Sequence, residues 1–288
     1  VAPSRGLGDV YKRQAKGGSV PKYIKVISQM ARRSGFEVQI AAVKALFLRE
    51  IKTRFGKYRL GYLWALLEPT AHLIILIGIF GYIMHRTMPD ISFPVFLLNG
   101  LIPYFLFSNI AVRSIGAINS NQGLFNYRPI KPIDTIISRT LLEALIYSGV
   151  YIILMSIVGL LGEEFSFLNI IILAATWGLL IIFSLGIGLI FMVLGKTFPE
   201  TEKFLPIMIK PLYFISCVMF PLHSIPKIYW GYLLWNPLVH VVELSRQSVV
   251  PGYISEGVSI NYLAFFSLVV FFVGLCLYRF KEEAMLTS

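Results

Sequence analysis

The chain has 288 residues, of which 56% are hydrophobic and only 14% charged, against about 25% charged in a soluble domain. That composition excludes a domain surrounded by water and predicts an all-α integral membrane protein built on apolar runs of ~20 residues, since the alternating strands of a membrane barrel are absent. The net charge of +11 reads as a collar against anionic lipid headgroups rather than a nucleic-acid surface, and two cysteines in apolar runs, Cys217 and Cys276, supply neither a disulfide framework nor a metal set.

Residues 1–29 open with VAPSRGLGDVYKRQ, which has neither an amphipathic nor a signal-peptide pattern. They read as a non-native or disordered extension, with Met30 a candidate native start. Residues 30–60 form a second region, where Phe36, Ile40, Val43, Phe47 and Ile51 recur at helical spacing and Lys44, Arg49 and Lys52 lie off that line. Two compatible readings fit: an N-terminal interfacial helix lying along the cytoplasmic face of the membrane, or a helix packed on a partner subunit. Residues 61–288 hold six predicted spans, at about 61–84, 94–112, 140–161, 168–194, 204–222 and 260–278, each near the length of a bilayer core. No internal repeat is evident, which argues against inverted-repeat transporters.

Of 26 Lys and Arg residues, 22 fall before span one, between spans two and three, between four and five, or after six. Arg86, Lys227 and Arg246 fall in the opposite loops, and Lys210 lies inside span five. The excess of positive charge on one side predicts that both termini are cytoplasmic. The long exterior connection before span six has an apolar stretch, 228–242, broken by Asn236-Pro237. Each half is too short to cross, so paired re-entrant helices are expected, their irregular backbone buried in protein or lining a wet cavity.

Chemistry-bearing motifs are few. Gly195-Lys196-Thr197 matches only the end of a phosphate loop: Ile190 stands where the first glycine is needed, and a membrane span precedes it. The four histidines, His72, His85, His223 and His240, form no metalloprotease pair, and no nucleophile elbow is present. No catalytic residue and no metal site is assigned. Charged residues near a span centre cost ~2.5–3.5 kcal/mol, which draws attention to three. Lys210, beside Pro211, reads as a conduit wall or an inter-helix partner, with snorkelling a long reach. Glu68 and Glu143 lie nearer the cytoplasmic face, where solvation and an interior role fit equally. Tyr147 and Tyr151, one helical turn apart, and Tyr213 and Phe214, next to Lys210, fit either helix packing or stacking on sugar rings. Trp64, Tyr82, Trp230 and Trp235 fit an interfacial belt.

One stretch breaks the apolar pattern: GLFNYRPIKPID, residues 123–134, with two prolines, two basic residues and an aspartate. Together with LREIKTRFGKYRLGYLWALLEP, GKTFPE, LYFISCVMFPLHSIP and WNPLVHVVELSR, it resembles the inner-membrane permeases of capsular polysaccharide exporters, an ABC type-2 family. The resemblance runs from about residue 30 to the end of the chain. It implies a homodimer of six-span subunits in a bacterial inner membrane, with one ABC ATPase subunit beneath each. ATP and Mg would belong to those ATPases, leaving this chain without a cofactor. It further implies that residues 119–134 hold a short coupling helix that docks into an ATPase cleft, with Phe125, Asn126, Tyr127, Arg128 and Pro129 at the contact. Phe125 and Tyr127 suit an apolar plug, and the prolines stiffen the backbone. A conduit between protomers, chiefly from spans one and five, has Glu68, Tyr147, Tyr151, Lys210, Tyr213 and Phe214 as candidates. The periplasmic exit has Tyr229, Trp230, Tyr232, Trp235 and His240.

The function so implied is ATP-driven export of lipid-linked acidic capsular polysaccharide from cytoplasm to periplasm. Periplasmic adaptor and outer-membrane export proteins would continue the path. Membrane lipids are the other expected partners, and nucleic acid is not. The alternatives are a permease for O-antigen, teichoic acid or a small drug, a membrane glycosyltransferase, and a channel or secondary transporter. Clustered acidic or metal-binding loop residues would favour the transferase, and absence of an ATPase partner the channel or secondary transporter.

Overall fold

The computed structural model describes residues 34–56, 61–83, 92–125, 130–167 and 169–286. Among these the chain is helical throughout, with no strand. The helices are α1 (Gly35–Phe55), α2 (Gly61–Leu76, continued as a π-helix over Ile77–Ile83), α3 (Phe93–Ile115), α4 (Pro132–Leu160), α5 (Ile170–Thr197), α6 (Thr201–Ile215), α7 (Trp230–Leu233), α8 (Pro237–Val249) and α9 (Ile260–Leu286). Short 3-10 turns cover Asn119–Leu124, Leu222–Ser224 and Lys227–Tyr229.

The chain divides into two compact units, 1–41 and 42–288. In the first, the described residues open α1 with a capping box. The Glu37 backbone N–H donates to Ser34 Oγ at 3.3 Å, and the Ser34 N–H donates to the Glu37 carboxylate at 3.0 Å, so two otherwise orphaned donors are satisfied reciprocally.

In the second unit α3 is the axis of the core. Phe96, Leu97, Leu98, Leu101, Ile102 and Leu106 are wholly buried, and α2, α4, α5, α6 and α8 all pack around it. Ser92 caps its start and Pro94 occupies its first turn, where a missing N–H costs nothing. α5 also packs along α9. A Cβ on Gly186 would lie 2.7 Å from the Phe271 backbone, and one on Gly274 would lie 2.6 Å from the Gly186 carbonyl oxygen. Small residues at this crossing let the two backbones meet, as membrane helix pairs require where burial from water supplies no drive.

Five helical segments, Leu63–Gly81, Phe93–Ile115, Pro132–Leu160, Ile170–Thr197 and Ile260–Met285, are long and apolar enough to cross a membrane. They correspond to predicted spans one to four and six. Their outward faces are greasy: Ile152, Ile171, Phe265 and Phe272 are all more than half exposed, as lipid-facing residues must be. The prediction differs at span five, read as 204–222. The helix there is 15 residues, Thr201–Ile215, roughly 22 Å at 1.5 Å per residue against a ~30 Å hydrocarbon core. It carries Pro206 and Pro211 and stops at a reversal where Cys217 takes φ 57°, a left-handed value uncommon for a residue with a side chain. The predicted break at Asn236-Pro237 is present. Asn236 caps α8, its Oδ1 accepting from the Leu238 N–H at 3.0 Å, and Pro237 occupies the first turn.

The stripe on α1, read as facing lipid or a partner subunit, is largely open in the single chain. Ala42, Leu46 and Phe55 are buried, whereas Ile40 is half exposed and Phe47 and Ile51 are partly open. The face that meets the bundle is held by charge instead.

Candidate functional site

The ends of α3, α4, α5, α6 and α9 that carry the basic connections converge with the later part of α1. Glu143, on α4, is 1% exposed and its Oε1 accepts from Arg54 of α1 and from Arg113 Nε of α3 at 3.0 Å. Arg139, one turn earlier, pairs with Glu50 at 3.1 Å and donates to the Arg113 carbonyl at 2.6 Å and to Ser120 Oγ at 2.8 Å. These groups surround a cavity of about 120 Å³. Of the two interpretations left open for Glu143, the interior one describes its place.

The 3-10 turn Asn119–Leu124 is tied into this cluster on three sides. Arg49 of α1 donates to Asn121 Oδ1, Arg139 of α4 reaches Ser120, and Asn119 Nδ2 donates to Glu202 Oε1 of α6 at 3.0 Å. Phe125 is half buried and packs on the apolar cluster of Ala117, Ile118, Ile136 and Met285. The other four contact candidates, Asn126, Tyr127, Arg128 and Pro129, lie outside the described residues. Where the chain resumes, Lys131 pairs with Glu282 of α9 at 3.3 Å, and the Asp134 carboxylate accepts from the Lys131 N–H at 2.9 Å. Both flanks of residues 126–129 are therefore anchored to helices that run into the bundle.

The conduit candidates separate into two groups. Tyr213 of α6 packs edge-on against Tyr104 of α3 and Phe214, with ring centroids 5.1 and 5.3 Å away, and against His72 of α2 at 6.0 Å. Its hydroxyl donates to Met219 Sδ at 3.1 Å. Lys210, Phe214 and Glu68 are exposed on α6 and α2. Tyr147 and Tyr151 lie elsewhere, buried on the inner face of α4. The Tyr147 hydroxyl accepts from Asn109 Nδ2 at 2.8 Å and the Tyr151 hydroxyl donates to Asn99 Oδ1 at 2.8 Å. In this single chain they join α4 to α3.

At the opposite end, Tyr229, Tyr232 and Trp235 are exposed, while Trp230 is half buried with its indole N–H on the Ile225 carbonyl at 2.8 Å. His240 is buried and uses both ring nitrogens, Nδ1 accepting from the Ser259 N–H at 3.0 Å and Nε2 on the Leu234 carbonyl at 2.9 Å. Burial holds its pKa below the ordinary imidazole value, against the opposing effect of the Leu234 carbonyl.

Sequence reasoning missed what lies beneath them. Arg246 counts among exterior-loop cations by position, yet it is 0% exposed. Its Nη1 donates to Glu243 Oε1 and to the Cys217 carbonyl, each at 2.9 Å, and its Nη2 to the Val218 carbonyl at 2.8 Å. The guanidinium sits 3.6 Å over the Phe96 ring. The Glu243 carboxylate also accepts from Tyr253, Ser255 and the Leu222 N–H at 2.7, 2.6 and 3.2 Å. One ion pair thus binds the reversal after α6, the helix α8 and the loop before α9 to the axis α3. The signal available was the spacing of an acid and a base at i and i+3.

A family profile described as ABC-2 type transporter matches residues 41–250. The chain belongs to the ABC-2 type transporter membrane family. Among its relatives, the polysialic acid transport protein KpsM of Escherichia coli is 76% identical over 256 residues, covering 89% of this chain and 99% of the relative. The capsule polysaccharide export inner-membrane protein BexB of Haemophilus influenzae is 26% identical over 251 residues, 87% and 95% of the two chains. The O-antigen export system permease protein RfbA of Klebsiella pneumoniae is 26% identical over 247 residues, 81% and 91%. The ABC-2 match spans the flanks of residues 126–129 and the Glu143 and Glu243–Arg246 ion pairs, while the Ser34–Glu37 capping box and the residues that follow position 250 lie outside it.

Proposed function

We propose that this chain is the membrane subunit of an ATP-driven exporter that moves acidic, lipid-linked capsular polysaccharide out of the cytoplasm across the bacterial inner membrane. The observation that carries the proposal is the 76% identity, over nearly the whole of the relative, to a protein named for polysialic acid transport. An O-antigen or teichoic acid substrate is the second reading, and the relative that favours O-antigen stands at only 26%.

Two copies of the chain would enclose the conduit, each above an ATPase subunit that binds ATP and Mg. α6 with the reversal behind it serves as the fifth crossing, and α7 and α8 as the re-entrant pair. Both termini then lie in the cytoplasm, where α1 lies along the membrane interface. The ionic cluster supplies the mechanical link. Force delivered to residues 119–134 meets hydrogen bonds to α1, α4 and α6 on one flank and a salt bridge to α9 on the other. Exposed Lys210 on α6 offers an acidic polymer weak, repeated attraction. Periplasmic adaptor and outer-membrane export proteins receive the polymer.

Replacing Tyr127 and Arg128 by alanine together tests the coupling role. The variant should remain in the membrane with ATP hydrolysis by the partner intact, while capsule at the cell surface is lost. Normal surface capsule rejects the assignment of 119–134 to coupling. Lys210→Glu should reduce export of an acidic capsule, and unaltered export would show that its charge does not meet the polymer.

A further inference from the structure

The connection between α4 and α5 ends in two adjoining cavities that the transport reading does not use. The first, about 450 Å³, falls within the ~300–1,000 Å³ of ligand sites. Its walls are almost wholly apolar, from Tyr151, Met155, Phe165, Leu173 and Trp177. Ile152 and Ile170 on its lip are 65% and 58% exposed, so it opens sideways from the helix pair rather than toward the core. In a bilayer that mouth meets hydrocarbon. Left empty, such a cavity forfeits the dispersion contacts of its walls, and water gains little in a chamber with few polar partners.

The second cavity, about 570 Å³, shares Phe165 with the first and is bounded by Gly159, Glu163, Glu164 and Pro251. Among the described residues neither carboxylate has a hydrogen-bond or ion-pair partner. No Lys or Arg occurs in residues 161–169. A third observation is independent of both: Trp177 is 8% exposed, and its indole N–H is buried without an acceptor, a costly state for a donor.

We propose that these paired cavities form a phospholipid site, with an acyl chain in the apolar chamber and an ammonium headgroup beside Glu163 and Glu164. The occupant is an aminophospholipid of the surrounding bilayer. Its tail replaces the missing contacts, and its cationic nitrogen meets two free carboxylates. An anionic headgroup is repelled by the same carboxylates. The site depends only on the chain being embedded in a membrane, so it stands or falls apart from the identity of any exported polymer.

Trp177 is a built-in probe, one of four tryptophans. With Trp64, Trp230 and Trp235 changed to phenylalanine, the full chain is placed in vesicles of equal phosphatidylethanolamine and phosphatidylglycerol. Bromine is carried on the acyl chains of one lipid or the other, so the bilayer is the same and only the quencher moves. Trp177 fluorescence should be quenched more by brominated phosphatidylethanolamine, by about two- to threefold as for one exposed ion pair. Glu163→Gln with Glu164→Gln should equalise the two lipids while leaving quenching in place. Ala174→Phe, which fills the apolar chamber, should protect the indole from both, and Ser156→Leu narrows it from the other helix should that variant fail to fold. Equal quenching by the two lipids in the starting protein, or a preference that survives the double glutamine change, overturns the proposal. So does an indole shielded from both lipids, the result expected if a second copy of the chain covers the mouth.

Discussion

Among the described residues Arg246 is the largest side chain fully withdrawn from solvent, and its partners explain why it is tolerated. Each nitrogen that donates does so to a carbonyl or to Glu243, so the desolvation of the charge is offset by several charge-assisted bonds. Removing one member leaves the other alone in a dry site. Arg246→Met is therefore expected to cost about 3–5 kcal/mol, seen as a large fall in apparent melting temperature of the detergent-purified protein. Changing Glu243 and Arg246 together to Leu and Met should cost less than either single change, because no lone charge remains. His240 adds a pH dependence at the same end. Its neutral form satisfies both neighbours, whereas protonating Nδ1 would set one donor against the Ser259 N–H. Because burial lowers its pKa in the folded state, the unfolded chain binds the proton first as pH falls. The contribution is thus fully present above about pH 6.5 and is lost as pH drops below it, at up to ~1.4 kcal/mol per pH unit. Thermal stability measured from pH 8 to 5 should show this decline, and His240→Gln should flatten it. None of these contacts was legible beforehand. The i, i+3 spacing of Glu243 and Arg246 was visible, but the carbonyls they hold come from residues 28 to 150 positions away.

At the level of elements, hydropathy sufficed wherever one helix runs uninterrupted through its apolar stretch. Spans two, four and six begin within two residues of where the sequence put them. The helix of span three starts eight residues earlier than read, because Pro132 and Asp134 build an N-terminus from polar residues that a hydropathy window discards. The helix of span five ends seven residues before the predicted bound, for a different reason. Its apolar pattern continues through 222, but the backbone turns at Cys217, where Arg246 captures the carbonyls of Cys217 and Val218. A tertiary contact overrides the local signal. The α5–α9 crossing was equally hidden, since glycines in an apolar run do not announce their partner. Gly186→Val should force the Phe271 backbone away, costing about 1–3 kcal/mol as overpacking does. The check is a fall in melting temperature that Gly178→Val does not reproduce, because a Cβ at Gly178 meets nothing within 4 Å.

Across the whole molecule, the asymmetry of Lys and Arg was the most far-reaching signal in the sequence, and the structure gives much of that charge a use. Arg49, Arg54, Arg113, Lys131 and Arg139 are not loose surface cations. They fasten α1, the turn at 119–124 and the ends of three long helices, α3, α4 and α9, to one another through Glu50, Glu143, Asn121 and Glu282. The count of charges predicted a side of the membrane but could not show this pairing, because the partners lie 30 to 151 residues apart in the chain. Glu143 is the centre, since it alone among the described residues accepts from both α1 and α3. Glu143→Ala leaves Arg54 and Arg113 facing a cavity of about 120 Å³ without the carboxylate that bridges them, and like charges then repel across it. The first consequence falls on α1, which is left with buried Ala42, Leu46 and Phe55 and its bonds to Asn121, Ser138 and Arg139. Backbone hydrogen exchange over residues 46–55 should accelerate about tenfold or more, the effect of losing ~1.4 kcal/mol of local protection. Exchange within α3 and α5 should stay unchanged, because their cores do not involve the pair. Exchange that rises throughout the bundle would make Glu143 a general stabiliser. Exchange that rises nowhere would mean that α1 is held without Glu143, by its apolar contacts and its bonds to Asn121, Ser138 and Arg139.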